Sequence, residues 1–222
     1  LGDVYKRQAG GDVSFGAKLE TDGGDNDSLV ISSGAGDVTF TGAIGVTNEL
    51  GGLDVNAATD GTGDIKFKGN IGTSAGGGNP GVKGTTSIGT ATGAATDTEN
   101  VHFLGSLYSF DVGVTTIAAD ADVSGTTDNI EVGTSGTNVE FKTAGEALTF
   151  VGGSLDLADN SNLTINSGGG NVTVTGITGV SDETVTIEAG AGSVTLGAIG
   201  DSGHTQIHEL DIDGGGGIIL TG

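Results

Sequence analysis

GAGDVTFTGAIGVTNELGGLDV, residues 34 to 55, holds the pattern from which the fold follows. A Gly-rich turn ends in Asp37 and runs into the triplet Val38-Thr39-Phe40, with Ile44 a short step beyond and Leu53-Asp54-Val55 closing the stretch. Alternation with period two puts Val38 and Phe40 on one side and Thr39 on the other, as in a strand with one buried face. Gly, Asn and Asp between the apolar stations supply the positive φ values of tight corners.

The same frame recurs on both sides. The triplet returns at Val13 in GGDVSF, Ile65 in GTGDIKF, Val101 in VHF, Leu148 in LTF, Val172 in GGGNVTV, Val194 in GAGSVTL and Ile218 in GGGIIL, with a weaker member at Val123. Successive first residues lie 25, 27, 36, 22, 25, 24, 22 and 24 apart. A second station keeps step upstream, at Leu29, Leu53, Ile88, Val114, Val139, Leu163, Val185 and Leu210. A third keeps step downstream, at Leu19, Ile44, Ile71, Leu107, Ile130, Leu155, Ile177 and Ile199. Three short strands in each unit of about 24 residues is the arithmetic of an all-β, single-stranded parallel β-helix, in which each coil covers its inner side chains with the coils above and below. About eight such coils at ~4.8 Å each predict a rod roughly 40 Å long. Phe15, Phe40, Phe67, Phe103 and Phe150 share one phase and are expected to form a phenyl ladder on an inner wall. Short Gly-bounded strands also suit an antiparallel sandwich or barrel, which is the alternative fold.

Composition narrows the function. With 29 acidic against 7 basic side chains, a formal charge of -22, the chain is repelled by phosphate backbones, so nucleic acid is not an expected partner. The absence of Cys excludes disulfides and thiolate metal sites, and no apolar run approaches the ~20 residues of a membrane helix. Leu, Ile, Val and Phe total 55 of 222 residues, enough for a folded core despite 46 Gly.

Residues 1–8, LGDVYKRQ, hold the only Arg and one of the two Tyr, and are expected to be an artefactual or disordered tail; they resemble a junction peptide of metagenome assemblies. Residues 9–222 are expected to form one β-helix domain, and IILTG at the other end stops within a strand pattern, as in a fragment of a longer protein. Residues 73–99 contain the only Pro, a Gly triplet and Lys83, and are expected to be one coil with a loop insertion of about a dozen residues, the best candidate recognition surface.

Motifs that could support chemistry are sparse. Gly72-Thr73-Ser74-Ala75-Gly76 matches G-x-S-x-G, yet no helix follows to form a nucleophile elbow. His102 is the middle, outward residue of its triplet, and His204 and His208 flank a turn; all three are expected to be solvated. Asp22, Asp25 and Asp27 in DGGDNDSL resemble, in a single out-of-register copy, the Gly/Asp turns that bind Ca²⁺ in β-rolls, and are the only candidate metal ligands. No other cofactor is expected. Thr39, Thr149, Thr173 and Thr195 are expected to form an outward row, with Thr164 and Thr186 on the neighbouring sheet.

GAGDVTFTGAIGVTNELGGLDV at 34–55, GTGDIKFKGNIG at 61–72 and GAGSVTLGAIG at 190–200 together resemble the repeat regions of large bacterial exoproteins, the filamentous-haemagglutinin-like and autotransporter-like adhesins. The resemblance covers residues 10–222 and implies a right-handed β-helix, a location outside the cell or on its surface, and partners among host or environmental glycans or proteins. It implies a structural and adhesive shaft rather than an enzyme, with no catalytic residue assigned. The alternatives are a carbohydrate-active β-helix enzyme, pectin-lyase-like or tailspike-like, with acids converging in a groove, and an ice- or crystal-surface-binding solenoid presenting flat Thr rows.

Overall fold

The computed structural model describes residues 4–7, 10–23, 27–56, 63–73, 81–89, 100–111, 113–119, 129–200 and 207–221. Short strands stack in three parallel ladders. The first contains β1 (Val4–Arg7), β3 (Ser28–Ser32), β5 (Gly52–Asn56), β7 (Thr86–Ile88), β10 (Thr115–Ala118), β13 (Leu148–Val151), the start of β16 (Val172–Thr178), the start of β18 (Val194–Ile199) and β20 (Ile218–Leu220). The second contains β2 (Val13–Phe15), β4 (Val38–Phe40), β6 (Ile65–Phe67), β8 (Val101–Phe103), β11 (Ile130–Val132), β14 (Leu155–Leu157) and the ends of β16 and β18. The third contains β9 (Leu107–Ser109), β12 (Asn138–Lys142), β15 (Asn162–Asn166), β17 (Thr184–Gly190) and β19 (Glu209–Gly214), and isolated bridges extend it down to Leu19, Ile44 and Ile71. Every pairing among the described residues is parallel, and the chain visits the ladders in turn, so the fold is the expected parallel β-solenoid.

The triplets behave as their alternation requires: in β4, β6, β8 and β11 the outer two residues are buried and the middle one faces outward. Stacking of coils at the sheet spacing also dictates the corners. A Cβ on Gly36 would come within 2.3 Å of the Gly11 carbonyl, and one on Gly63 within 2.5 Å of the Gly36 oxygen, so this glycine column exists because successive corners touch. Positive φ is a separate requirement met elsewhere, including two non-glycine corners, Asn160 (φ 57°) and Asp182 (φ 54°). The Asp after the Gly-x-Gly turn has its own task. Asp37 N–H donates to Asp12 Oδ1 (3.1 Å), Asp64 N–H to Asp37 Oδ1 (3.0 Å), Asn100 N–H to Asp64 Oδ1 (3.3 Å) and Asn129 N–H to Asn100 Oδ1 (2.9 Å). This column of side-chain acceptors satisfies corner amides that the sheets do not.

The structure corrects the phase of the repeat. The corner column beside the second ladder advances by 25, 27, 36 and then 29 positions, so the coils between Ile65 and Ile130 are longer than those before them. A single uniform step therefore slips by one station across this region. Val13, Val38, Ile65 and Val101 do share a ladder, but it continues through Ile130 and Leu155, while Leu148, Val172 and Val194 stand on the first ladder. Val123 lies outside the described residues. Phe15, Phe40, Phe67 and Phe103 stack with centroids 5.0, 4.9 and 5.2 Å apart and planes within 5°. Phe150 is not their next rung: it pairs with Ile117 and Val174 on the first ladder. The ladder's next inner residue is Val132, and the aromatic bulk moves across the core, where Tyr108 and Phe141 meet Phe103 edge-on and Phe141 meets Phe150. The same slip separates Thr39, which neighbours Ser14 and Lys66, from the outward row Thr116–Thr149–Thr173–Thr195.

Val4–Arg7, expected to belong to an artefactual or disordered tail, forms a strand paired with Leu29–Ser32. Within 73–99, residues 74–80 and 90–99 lie outside the described residues, but Val82 is fully buried between Leu50 and Phe110, and β7 sits between β5 and β10. The segment supplies part of the core, so a deletion there must spare 81–89.

In the first ladder's inner column, Thr86 and Thr115 are register partners between Leu53 and Leu148, both almost fully buried, and neither hydroxyl has a hydrogen-bond partner. Unfolding in urea should show Thr115→Val stabilised by about 1 kcal/mol, because a desolvated, unpaired hydroxyl is removed. In the same measurement Phe67→Ala should cost about 3–5 kcal/mol through the cavity left in the ring stack, whereas Thr39→Ala, on the outer face, should cost under about 0.5 kcal/mol.

Candidate functional site

The outer face of the second ladder brings Lys66 and His102 together with several acids. Its outward column reads Ser14, Thr39, Lys66, His102, Glu131, Asp156 and Thr178, one residue per coil. Beside it runs the corner column that includes Asp37 and Asp64. Lys66 Nζ reaches Asp64 Oδ2 at 2.8 Å and Asp37 Oδ2 at 3.1 Å. His102 Nδ1 lies 2.6 Å from Glu131 Oε2, and its Nε2 lies 3.3 Å from Asp64 Oδ2, an ion-pair contact without hydrogen-bond alignment. Asp64 thus divides its oxygens: Oδ2 faces Lys66 and His102, and Oδ1 accepts the Asn100 N–H.

The cluster reshapes the acidity of its members. Burial pulls the His102 imidazole down, but Asp64 and Glu131 on its two sides outweigh this and raise it above its ordinary 6.5. Burial raises the Asp64 carboxyl, and contacts from His102, Lys66 and the Asn100 amide overcome it, holding the group well below the usual carboxylate range. Lys66 is raised by its bond to Asp64 and, after a smaller opposing effect of burial, by Asp37. Chemically, the arrangement is a chain of neutralised charges that ties three coils together, with both imidazole nitrogens occupied by carboxylates.

His102 was expected to be solvated. It does face outward, but its side chain is only 13% exposed, because the neighbouring coils' longer side chains close over it. His208 is exposed and 3.8 Å from Asp182, while His204 lies outside the described residues. Of the candidate calcium ligands, Asp25 lies outside the described residues. Asp22 and Asp27 line a mainly apolar hollow of about 150 Å³ with Phe15, Leu19, Leu29 and Leu50. Among the described residues no group of three or more His, Asp and Glu is arranged to hold a metal ion. Ser74 of the G-x-S-x-G match lies outside the described residues. A second polar surface lies on the third ladder, where Asn166 donates to Glu188 (2.6 Å) beside Asp211 and Asp213.

Asp64, Lys66 and Glu131 were not singled out from sequence. The signal was present: Asp64 ends a Gly-x-Gly turn, and Lys66, His102 and Glu131 are the middle residues of IKF, VHF and IEV. The phase slip placed IEV on a different station and hid the column.

A carboxyl with a lowered folded-state pKa stabilises the fold above its unfolded value, here 3.8, and that stability is lost as pH falls towards the folded value. Asp64→Asn keeps an acceptor for the Asn100 amide and removes only the charge. At pH 7 the variant should be less stable by about 1–2 kcal/mol in urea unfolding, and the gap from the parent should close progressively below about pH 4.

Comparison with protein-family models, with curated proteins and with solved structures found no match to this chain.

Proposed function

We propose that the chain is a structural and adhesive shaft segment of a secreted or surface-displayed bacterial protein. The observation that supports this most directly is nearest-neighbour stacking: among the described residues each strand pairs only with the equivalent strands of the coils before and after it. Length in such a solenoid is set by coil number without redesigning a core, which is the property a spacer needs. The repeat's resemblance to adhesin shafts points the same way, and the polar outward columns present a long surface on which glycans or proteins can be held.

The convergence of Asp64 and Glu131 on His102 supports a second reading, a carbohydrate-active enzyme using the outer face of the second ladder. Release of reducing ends or unsaturated products from polysaccharides, abolished in Glu131→Gln, would favour it.

Residues 162–183 make one full coil, since Asn162 pairs with Thr184. Tandem duplication of this segment should lengthen the particle by about 5 Å in small-angle X-ray scattering and preserve cooperative unfolding. A particle that unfolds or does not lengthen opposes the shaft. The labelled parent chain, applied to arrays of surface glycans and extracellular proteins, is expected to be retained on at least one class. Retention on none removes the adhesive part of the proposal.

A further inference from the structure

The geometry points to His102 as a proton-controlled clasp that joins three consecutive coils of the second ladder where its longest chain steps enter, closing the solenoid there in mildly acidic solution and loosening it in alkaline solution. The corner column advances by 36 positions from Asp64 to Asn100 and by 29 from Asn100 to Asn129, entering β8 and β11, whereas Asp156 and Thr178 on neighbouring coils further along are only 22 apart. A longer step means more chain to be closed at each of these two seams, and closure entropy opposes stacking there more than elsewhere. Among the described residues, the one histidine held between two carboxylates from neighbouring coils lies at this junction: Asp64 precedes β6, His102 is on β8 and Glu131 is on β11.

The groups around His102 determine which seam responds. From the β6 side it meets Asp64, with Lys66 on the same carboxylate and Asp37 behind Lys66; from the β11 side it meets Glu131, whose own neighbour on β14 is Asp156. Imidazolium presents N–H groups to both carboxylates, while neutral imidazole has only one. The 2.6 Å contact with Glu131 retains that proton on Nδ1, leaving the Nε2 lone pair facing Asp64 Oδ2 at 3.3 Å. Attraction becomes repulsion on one side only. Asp64 keeps Lys66 and the Asn100 amide, so the seam between β6 and β8 loosens while that between β8 and β11 retains a bond.

The sign follows from linkage. A histidine raised in the folded state adds stability that is fully present below the unfolded value of 6.5 and is lost as pH rises through the folded value. The test is nuclear magnetic resonance on the full chain, combining titration of the His102 ring with amide hydrogen exchange from about pH 5.5 to 8.5, corrected for intrinsic rates. Ile65 N–H, bonded to Asn100 O, and Leu104 N–H, bonded to Phe67 O, report the β6–β8 seam; Val101 N–H and Gly133 N–H report the β8–β11 seam. As pH rises above 6.5 towards the folded pKa of His102, the opening constants of Ile65 and Leu104 should rise, by at most about tenfold per pH unit, and those of Val101 and Gly133 less. In His102→Gln the response should be flat. In Asp64→Asn, which keeps the corner acceptor, the ring should titrate lower and the difference between seams should disappear. A ring titrating at or below 6.5, or equal pH responses of Ile65 and Leu104 in the parent and in His102→Gln, overturns the clasp. Should His102→Gln fail to fold, the parent titration and Asp64→Asn decide it.

Discussion

Backbone hydrogen bonds running from each coil to the next, in parallel and at one spacing, impose the constraint on which the rest of this protein depends. Because equivalent residues of successive coils lie at sheet distance, every position belongs to a column, and a side chain is judged by its neighbours above and below. Flat rings satisfy this well, and four phenylalanines stack nearly parallel for that reason. When the second ladder changes to Val132, Tyr108 and Phe141 fill the space from the third. The Tyr108 hydroxyl then needs partners inside the core, and it finds the Gly105 N–H and the Phe67 carbonyl. The two buried threonines of the first ladder found none.

Columns also govern charge. A net charge of -22 on stacked strands would set carboxylate over carboxylate at about 5 Å, where like charges destabilise a sheet. Two outward columns do this, with Glu131 over Asp156 and Glu188 over Asp213, while others interleave polar residues between the acids. Glu140 is followed by Thr164 and Thr186 before Asp211, and Asp54 by Ser87 and then a run of threonines. On the second ladder Lys66 and His102 bridge Asp37, Asp64 and Glu131, so these acids are paired with cations rather than diluted. Threonine thus spaces like charges on two faces, and the strand preference of its branched side chain is served at the same time.

The single-coil repeat unit makes the molecule tolerant in length and sensitive at its joints. The regular coils leave little chain between stations, and the corner columns of Gly and Asp or Asn leave little choice of conformation. The longer coils in the middle depart from this economy, and it is beside them that the ion-pair cluster lies. Solenoid and cluster are connected in this sense: the cluster's geometry exists only because β6, β8 and β11 are stacked, and it lies where the chain steps between coils are longest.

Alternation, Gly-bounded triplets and a recurring step were enough to read from sequence the strand class, the parallel stacking and the inward-outward sense of nearly every triplet, because period two and coil-to-coil burial are local properties repeated many times. The phenyl stack was legible for Phe15, Phe40 and Phe67, which follow Gly-rich turns at near-regular steps, and for Phe103 because VHF repeats their apolar-x-Phe triplet. Phe150 was not, since the interval between Val101 and Leu148 can be divided into coils in more than one way. Only the three-dimensional register, set by which apolar residues cover which, carried the second ladder from Val101 to Ile130 in one coil and placed Leu148 on another wall. That choice also made the charged cluster: His102 is an ordinary outward histidine in sequence, and it becomes a clasped one because tertiary stacking brings Asp64 from the coil before it and Glu131 from the coil after it, neither of which is near it along the chain.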